Sequence, residues 1–190
     1  MDTKSLIINV ATKLFYEKGY VSVGVAEIIN ATNTSKGSFY HHFPKGKEQL
    51  LITCLEKVQM DVMEDMKQKF EEHKTFKEAL LAIFDQLIQM FEENGQIEGY
   101  TVTSIVSEIG VISETVREVC ANLYTLIEQE FTEQLQKRGI PFEQARMKAL
   151  FITATIEGSI MLSITKKMVE PLRIVSQQIS QNIYIEGEDF

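Results

Sequence analysis

"TSKGSFYHHF", residues 34–43, sets a lysine, a glycine, hydroxyl side chains, a tyrosine and two adjacent histidines into ten positions of a chain whose formal net charge is −8. Such a cluster suits a metal site, a hydrolase nucleophile or a short helix laid against DNA. A nucleophile elbow requires G-x-S-x-G, and neither Ser38 nor Ser159 has glycines at both offsets. Metal-binding bundles of the carboxylate type need Glu-x-x-His, but Ser38, Phe39 and Phe70 stand three residues before His41, His42 and His73. H-E-x-x-H is absent too. One position apart on a helix, His41 and His42 point about 100° away from each other and do not share a metal in the usual way. We therefore expect no metal, no cofactor and no catalysis.

The helical reading accounts for more of these residues. Asn33 tolerates the left-handed backbone of a tight turn, and Ser35 offers an N-cap oxygen to a helix reaching His42 or Phe43. Phe39 and Phe43, four apart, anchor that helix to a core, while Tyr40 and His41 lie on its exposed side. Upstream, Leu6, Ile7, Val10, Ala11, Leu14 and Phe15 follow the spacing of one helix face, stopped by Gly19, and Ala26–Thr32 reads as a second short helix. In a helix-turn-helix the last helix enters the major groove by its amino end, which here presents Ser35, Lys36, Gly37 and Ser38. Gly37 is a poor helix former, and its place makes sense where the backbone must come close to a base or phosphate. The alternative, that Tyr40 and the histidines merely cap a small helical domain, stays open on these residues alone.

Beyond Pro44 the helical period persists and strand alternation is not found. Helices are expected over about 46–72, from Phe76 through Phe91 to a stop at "ENGQ", near Val102–Ile109, over about 113–137, and twice more after the stop at Gly139 and Pro141. With no repeat or flexible linker, the fold class is all-α: a three-helix head, 1–47, on a helical body, 48–190. The helix around 145–165 is apolar on two sides. Met147, Phe151, Ala154, Gly158, Met161 and Thr165 form one stripe, and Ala149, Ile152, Ile156, Ile160 and Ile164 another. One face can fill the subunit's own core, and small residues at Ala154 and Gly158 permit close helix approach on the other. Leu172, Val175, Ile179 and Ile183 add a stripe on the last helix. The pattern predicts a homodimer through a four-helix bundle, with Phe151, Ala154, Gly158, Met161, Val175 and Ile179 at the interface.

Charge separates the two parts. Residues 1–50 carry six lysines against four carboxylates, a balance of +2, while residues 51–190 carry 13 basic and 23 acidic residues, a balance of −10. A basic head on an acidic body fits a protein that touches phosphates with one end. The amino terminus lacks a signal peptide's continuous apolar core, and no run of about 18 apolar residues occurs. We therefore expect a cytoplasmic protein with no membrane span and no membrane partner. Cys54 and Cys120 have no C-x-x-C spacing and fall in apolar helical patterns, as buried free thiols do.

The run Ala11-x-x-Leu14-Phe15-x-x-x-Gly19-Tyr20, then Val25-x-x-Ile28, then Ser35-Lys36-Gly37-Ser38-Phe39-Tyr40-His41-His42-Phe43, then Lys47-Glu48-x-Leu50 resembles the DNA-binding head of TetR-family regulators. The resemblance implies about nine helices: an N-terminal helix-turn-helix DNA-binding domain and a C-terminal ligand-binding and dimerisation domain, paired through the last two helices. It places Ser35, Lys36, Ser38 and His41 against bases or nearby phosphates, and Tyr40 and Lys47 on the phosphate backbone. Val23 stands where the family usually has a threonine, so Ser22 or the bare N–H of Gly24 must substitute. Asn33 replaces the turn glycine. "FPKGKEQL" carries one more residue between Phe43 and Lys47 than most members, and with "SEIG" near 107 and "IEGSIML" at 156–162 it is similar to the LmrA/YxaF-like branch, whose members regulate drug and secondary-metabolite resistance genes.

The implied cavity in the body draws on Met60, Met63, Phe84, Phe91, Tyr100, Tyr124, Phe131 and Phe151, with Thr103, Glu108 or Glu157 to orient a ligand. Such aromatic and Met stripes are more often plain core. No basic residue lies in these stretches, which favours a small hydrophobic effector that is neutral or cationic. The expected function is a dimeric repressor on a (pseudo)palindromic double-stranded operator, released by that effector. A helical protein-interaction module would keep the bundle but need no basic head, and a helical enzyme would need convergent titratable groups that the sequence does not offer.

Overall fold

The computed structural model of the chain describes residues 2–95, 97 and 113–182. Every element among the described residues is a helix: α1 Thr3–Lys18, α2 Val25–Thr32, α3 Lys36–His42, α4 Lys47–Glu72, α5 Phe76–Asn94, α6 Glu114–Lys137, α7 Phe142–Lys166 and α8 Glu170–Asn182. The helix expected near Val102–Ile109 lies outside the described residues. The described chain divides into two compact units, one of residues 2–61 and 113–122, the other of residues 62–95, 97 and 123–182. α4 contributes its first half to one and its second half to the other.

Local chemistry sets the boundaries in the first unit. The Asp2 carboxylate accepts from Ser5 N–H at 2.7 Å and caps α1, and Gly19, at φ 78°, ends it. Asn33 takes the left-handed conformation at φ 49°, ψ 39° after α2, so the Thr34 N–H can turn back to Ile29 O at 3.1 Å. Ser35 Oγ accepts from Ser38 N–H at 3.0 Å and starts α3. Ile7, Ala11 and Phe15 of α1, Ile28 of α2, Phe39 of α3, and Phe43 and Leu50 are buried together with Val23. Phe39 and Phe43 lie 5.7 Å apart between ring centroids, and truncating either to alanine should cost about 3–5 kcal/mol.

In the second unit, Thr75 and Glu78 form a reciprocal capping box that starts α5. Phe70, Phe76 and Phe131 make an aromatic triangle with centroid separations of 5.4, 6.1 and 6.0 Å, and the Arg138 guanidinium sits 5.9 Å from the Phe76 ring centroid. α8 packs on α5 and α7, and Arg173 of α8 pairs with Glu92 of α5.

One described helix meets the length and composition of a membrane span, as the core helix of a soluble protein also does. α7 contains an 18-residue window of mean hydropathy 1.4 and is long and apolar enough to cross a bilayer, although 39% of that window is buried within the chain. Two apolar stripes on one helix pass that test by composition. One of them, Ala149, Ile152, Ile156 and Ile160, is packed inside the unit.

Candidate nucleic-acid interface and body cavity

α3 rests on Phe39 and turns its amino end outward. Ser35, Lys36, Gly37, Tyr40 and His41 are exposed and Ser38 is half-buried, so the structure brings these sequence-predicted residues onto one short helix. The Ser35 hydroxyl accepts the cap bond and keeps its own proton to donate. Among the described residues a Cβ at Gly37 would meet only Ser35 Oγ, at 3.8 Å, an ordinary contact that does not require glycine there. The Tyr40 ring stands edge-on to Phe39 at 5.2 Å between centroids.

The start of α2 lies in the same unit. Val23 is fully buried, and Gly24 is the N-cap, in extended backbone at φ −90° with no side-chain cap bond. Of the two candidate substitutes for the missing threonine, Gly24 therefore occupies the cap, and the first-turn N–H groups that any helix leaves without an internal partner are bare of a side-chain oxygen. The side chains of α1 and α2 are tied by Lys18 Nζ and Glu27 Oε1 at 2.6 Å. That pairing, led by the hydrogen bond, raises the Lys18 pKa above its ordinary value.

Lys47 is half-buried at the start of α4. Its ammonium donates to Tyr20 O and Val23 O, both at 2.7 Å, and lies 4.0 Å from the Tyr20 ring centroid. Burial, and then the Glu48 charge, hold the Tyr20 phenol above its usual range.

A cavity of about 20 Å³ lies in the second unit, lined by Met66, Ile83, Ile127, Phe131, Thr153, Ile156 and Glu157. That is room for about one water. Among the sequence-predicted effector residues, Glu157 and Phe131 line it. Phe84 and Phe91 are buried but not in its wall, and Met63 is only half-buried. Tyr124 is half-buried outside the wall. Phe151 and Met60 are exposed, at 65% and 63%, and cannot line an interior cavity in this chain. Tyr100, Thr103 and Glu108 lie outside the described residues. Thr153 was missed, although a polar residue on the inward stripe of α7 was the signal that could have found it. Its hydroxyl is buried without a hydrogen-bond partner among the described residues, as is that of Ser163.

The outer stripe of α7 is open. Met147, Leu150, Phe151, Met161 and Leu162 are exposed large apolar side chains, and Ala154 and Gly158 between them are exposed as well. On α8 the expected stripe turns inward: Leu172 and Ile179 are buried within the chain and Val175 is half-buried, which leaves Ile174 as the exposed apolar residue. Ile179 is thus core of this chain, because α8 spends that face on α5 and α7.

Residues 7–54 match the family profile described as bacterial regulatory proteins of the tetR family, and residues 77–178 match that of the transcriptional regulator LmrA/YxaF-like C-terminal domain. Among known proteins, the HTH-type transcriptional regulator YxaF of Bacillus subtilis is 33% identical over 178 residues, covering 94% of this chain and 93% of that one. The HTH-type transcriptional regulator LmrA of the same organism is 32% identical over 178 residues, covering 94% and 95%. Among solved structures, reduced Escherichia coli NemR superposes with a TM-score of 0.87 at 19% identity, over 98% of this chain and all of that one. A TetR regulator from Legionella pneumophila superposes at 0.83 with 21% identity, over 97% and 98%.

Proposed function

This chain belongs to the TetR family of bacterial regulatory proteins, in its LmrA/YxaF-like branch, and we propose that it is a cytoplasmic homodimeric repressor released from a (pseudo)palindromic operator by a small hydrophobic effector. It is a DNA-binding transcriptional regulator and not an enzyme. In the proposed division, residues 1–47 bind DNA and residues 48–190 bind effector and partner subunit.

The observation that carries the reading is the outward row of α3: Ser35, Lys36, Gly37, Tyr40 and His41 exposed on a helix pinned by buried Phe39. Lys36 is the group in that row able to reach a guanine edge, and such a contact discriminates by about 1–3 kcal/mol. The apolar outer stripe of α7 supports a second subunit as its cover, because a patch of five large exposed side chains on one helix is unusual on a surface that meets only water. The cavity supports release. Met66, on the half of α4 that belongs to the second unit, is part of its wall, so displacement of that wall is the route by which a ligand larger than the present space would act on α4. A twofold pair of recognition helices needs a spacing near 34 Å, and a ligand that prefers another spacing weakens DNA binding by differential affinity. A neutral or cationic effector fits a wall of five apolar side chains, one hydroxyl and one carboxyl-bearing side chain.

Mobility shift with the DNA flanking its own gene tests the whole. A dimer should bind two half-sites at nanomolar concentration, and a releasing hydrophobic aromatic compound should lower operator affinity roughly 5- to 150-fold, with operator lowering the compound's affinity by the same factor. Monomeric protein at micromolar concentration, or a tightly bound compound with equal affinity in both states, would refute the dimer or the switch respectively.

A further inference from the structure

Lys47 opens α4, the end of a helix whose dipole disfavours a cation. Its ammonium reaches back across the head to the turn before α2, where Tyr20 O and Val23 O each accept from it at 2.7 Å. The Tyr20 ring covers a further side of the same group at 4.0 Å, and that ring in turn lies 5.3 Å from Phe15 of α1. Val23 N–H also returns to Tyr20 O, at 3.3 Å, and the Val23 side chain is fully buried. One half-buried charge therefore closes the 20–23 turn, and the next residue, Gly24, is the uncapped start of α2. Hydrogen bonds from a charged donor are stronger than those between neutral groups, so this contact is well suited to hold a turn that no side-chain cap secures.

We propose that Lys47 is a positioning residue, a strut that fixes the start of α2 and through it the turn and α3, and that it does not serve as a grip on a DNA phosphate. Two of its three ammonium protons are directed at carbonyls of its own chain and its charge lies over its own tyrosine. The sequence alone does not separate these roles, because a basic residue at that position serves either.

Two variants test it in the full chain. Lys47→Met keeps the aliphatic stem and removes charge and donors; Lys47→Arg keeps the charge but replaces a compact ammonium by a planar fork that fits two converging carbonyls poorly. Hydrogen exchange of the free protein should show amides over residues 20–28 losing protection roughly tenfold in Lys47→Met, and to a smaller extent in Lys47→Arg. With a duplex enriched from a random pool by the wild-type chain, affinity at one salt concentration should fall roughly tenfold in Lys47→Met while the slope of log K against log salt stays at the wild-type value. A slope reduced by about 0.9, the signature of one lost phosphate contact, or unchanged protection in both variants, would overturn the proposal. If the wild-type chain enriches no duplex, DNA binding itself fails, and the exchange measurement still decides whether Lys47 is a strut.

Discussion

Replacing Thr153 by valine exchanges a buried hydroxyl for a methyl of nearly the same shape. Thr153 is 6% exposed, and its Oγ1 has no hydrogen-bond partner among the described residues. An unsatisfied buried hydroxyl costs about 1–3 kcal/mol on mutational scales, and an added buried methyl contributes about 0.8 kcal/mol. Part of that gain is offset because a water-sized cavity beside the residue leaves the new methyl without close neighbours on one side. We expect net stabilisation of about 1–2 kcal/mol, or roughly 2–8 °C in Tm for a chain of this size. Ser163→Ala is the matched control: its hydroxyl is equally orphaned but lies outside the cavity wall. Both variants should raise Tm by thermal circular dichroism at fixed protein concentration, and only Thr153→Val should weaken a releasing compound. Loss of more than about 1 kcal/mol in Thr153→Val would mean that the hydroxyl is paired in solution, through a cavity water shared with Glu157 for example, and the reasoning from an orphaned group would fail.

Gly158→Leu should leave helicity and monomer fold intact, since a Cβ there meets nothing within 4 Å in the chain, yet weaken self-association by about 1–3 kcal/mol if a partner helix crosses there; sedimentation against circular dichroism separates the two. Gly37→Ala should stabilise the free protein by up to about 1 kcal/mol while lowering DNA affinity, and a gain in both would show that nothing approaches the helix at that point. Lys36→Ala should cost roughly 1–3 kcal/mol on a preferred duplex and relax preference at one base position, which selection from a random pool would read directly. Burial pushes the Cys54 and Cys120 thiols up to about 11. The unfolded chain releases these protons near pH 9 while the folded chain keeps them, so stability falls as pH rises from about 9 to about 11, by at most about 2–3 kcal/mol per thiol. A Cys54→Ala/Cys120→Ala pair should flatten that alkaline loss in urea titrations, and an unchanged slope would refute it.

The head was legible because its decisions are local. Whether Asn33 turns, whether Ser35 caps and whether Gly19 stops a helix depends on atoms within three or four residues, and the structure puts all three where their chemistry does. Lys47 was not legible in the same way. Its partners, Tyr20 O and Val23 O, are 27 and 24 residues away in sequence, and a long flexible stem gives no hint of which carbonyls will lie within its reach. Sequence spacing located the residue but not the direction of its charge.

The body shows where periodicity stops carrying information. On α7 it yields two apolar stripes of nearly equal strength, and nothing in the helix itself decides which turns inward. The decision belongs to the surfaces it meets. The stripe with Ile152, Ile156 and Ile160 is buried, and the one interrupted by Ala154 and Gly158 is exposed. β-branched residues fill a fixed interior well because little rotamer freedom is left for them to lose, whereas small residues give up little apolar burial by facing outward. The same logic separates Thr153 from its neighbours. A hydroxyl on the buried stripe, with no partner among the described residues, is expected to make the free protein less stable than valine would, which periodicity along the helix gives no sign of.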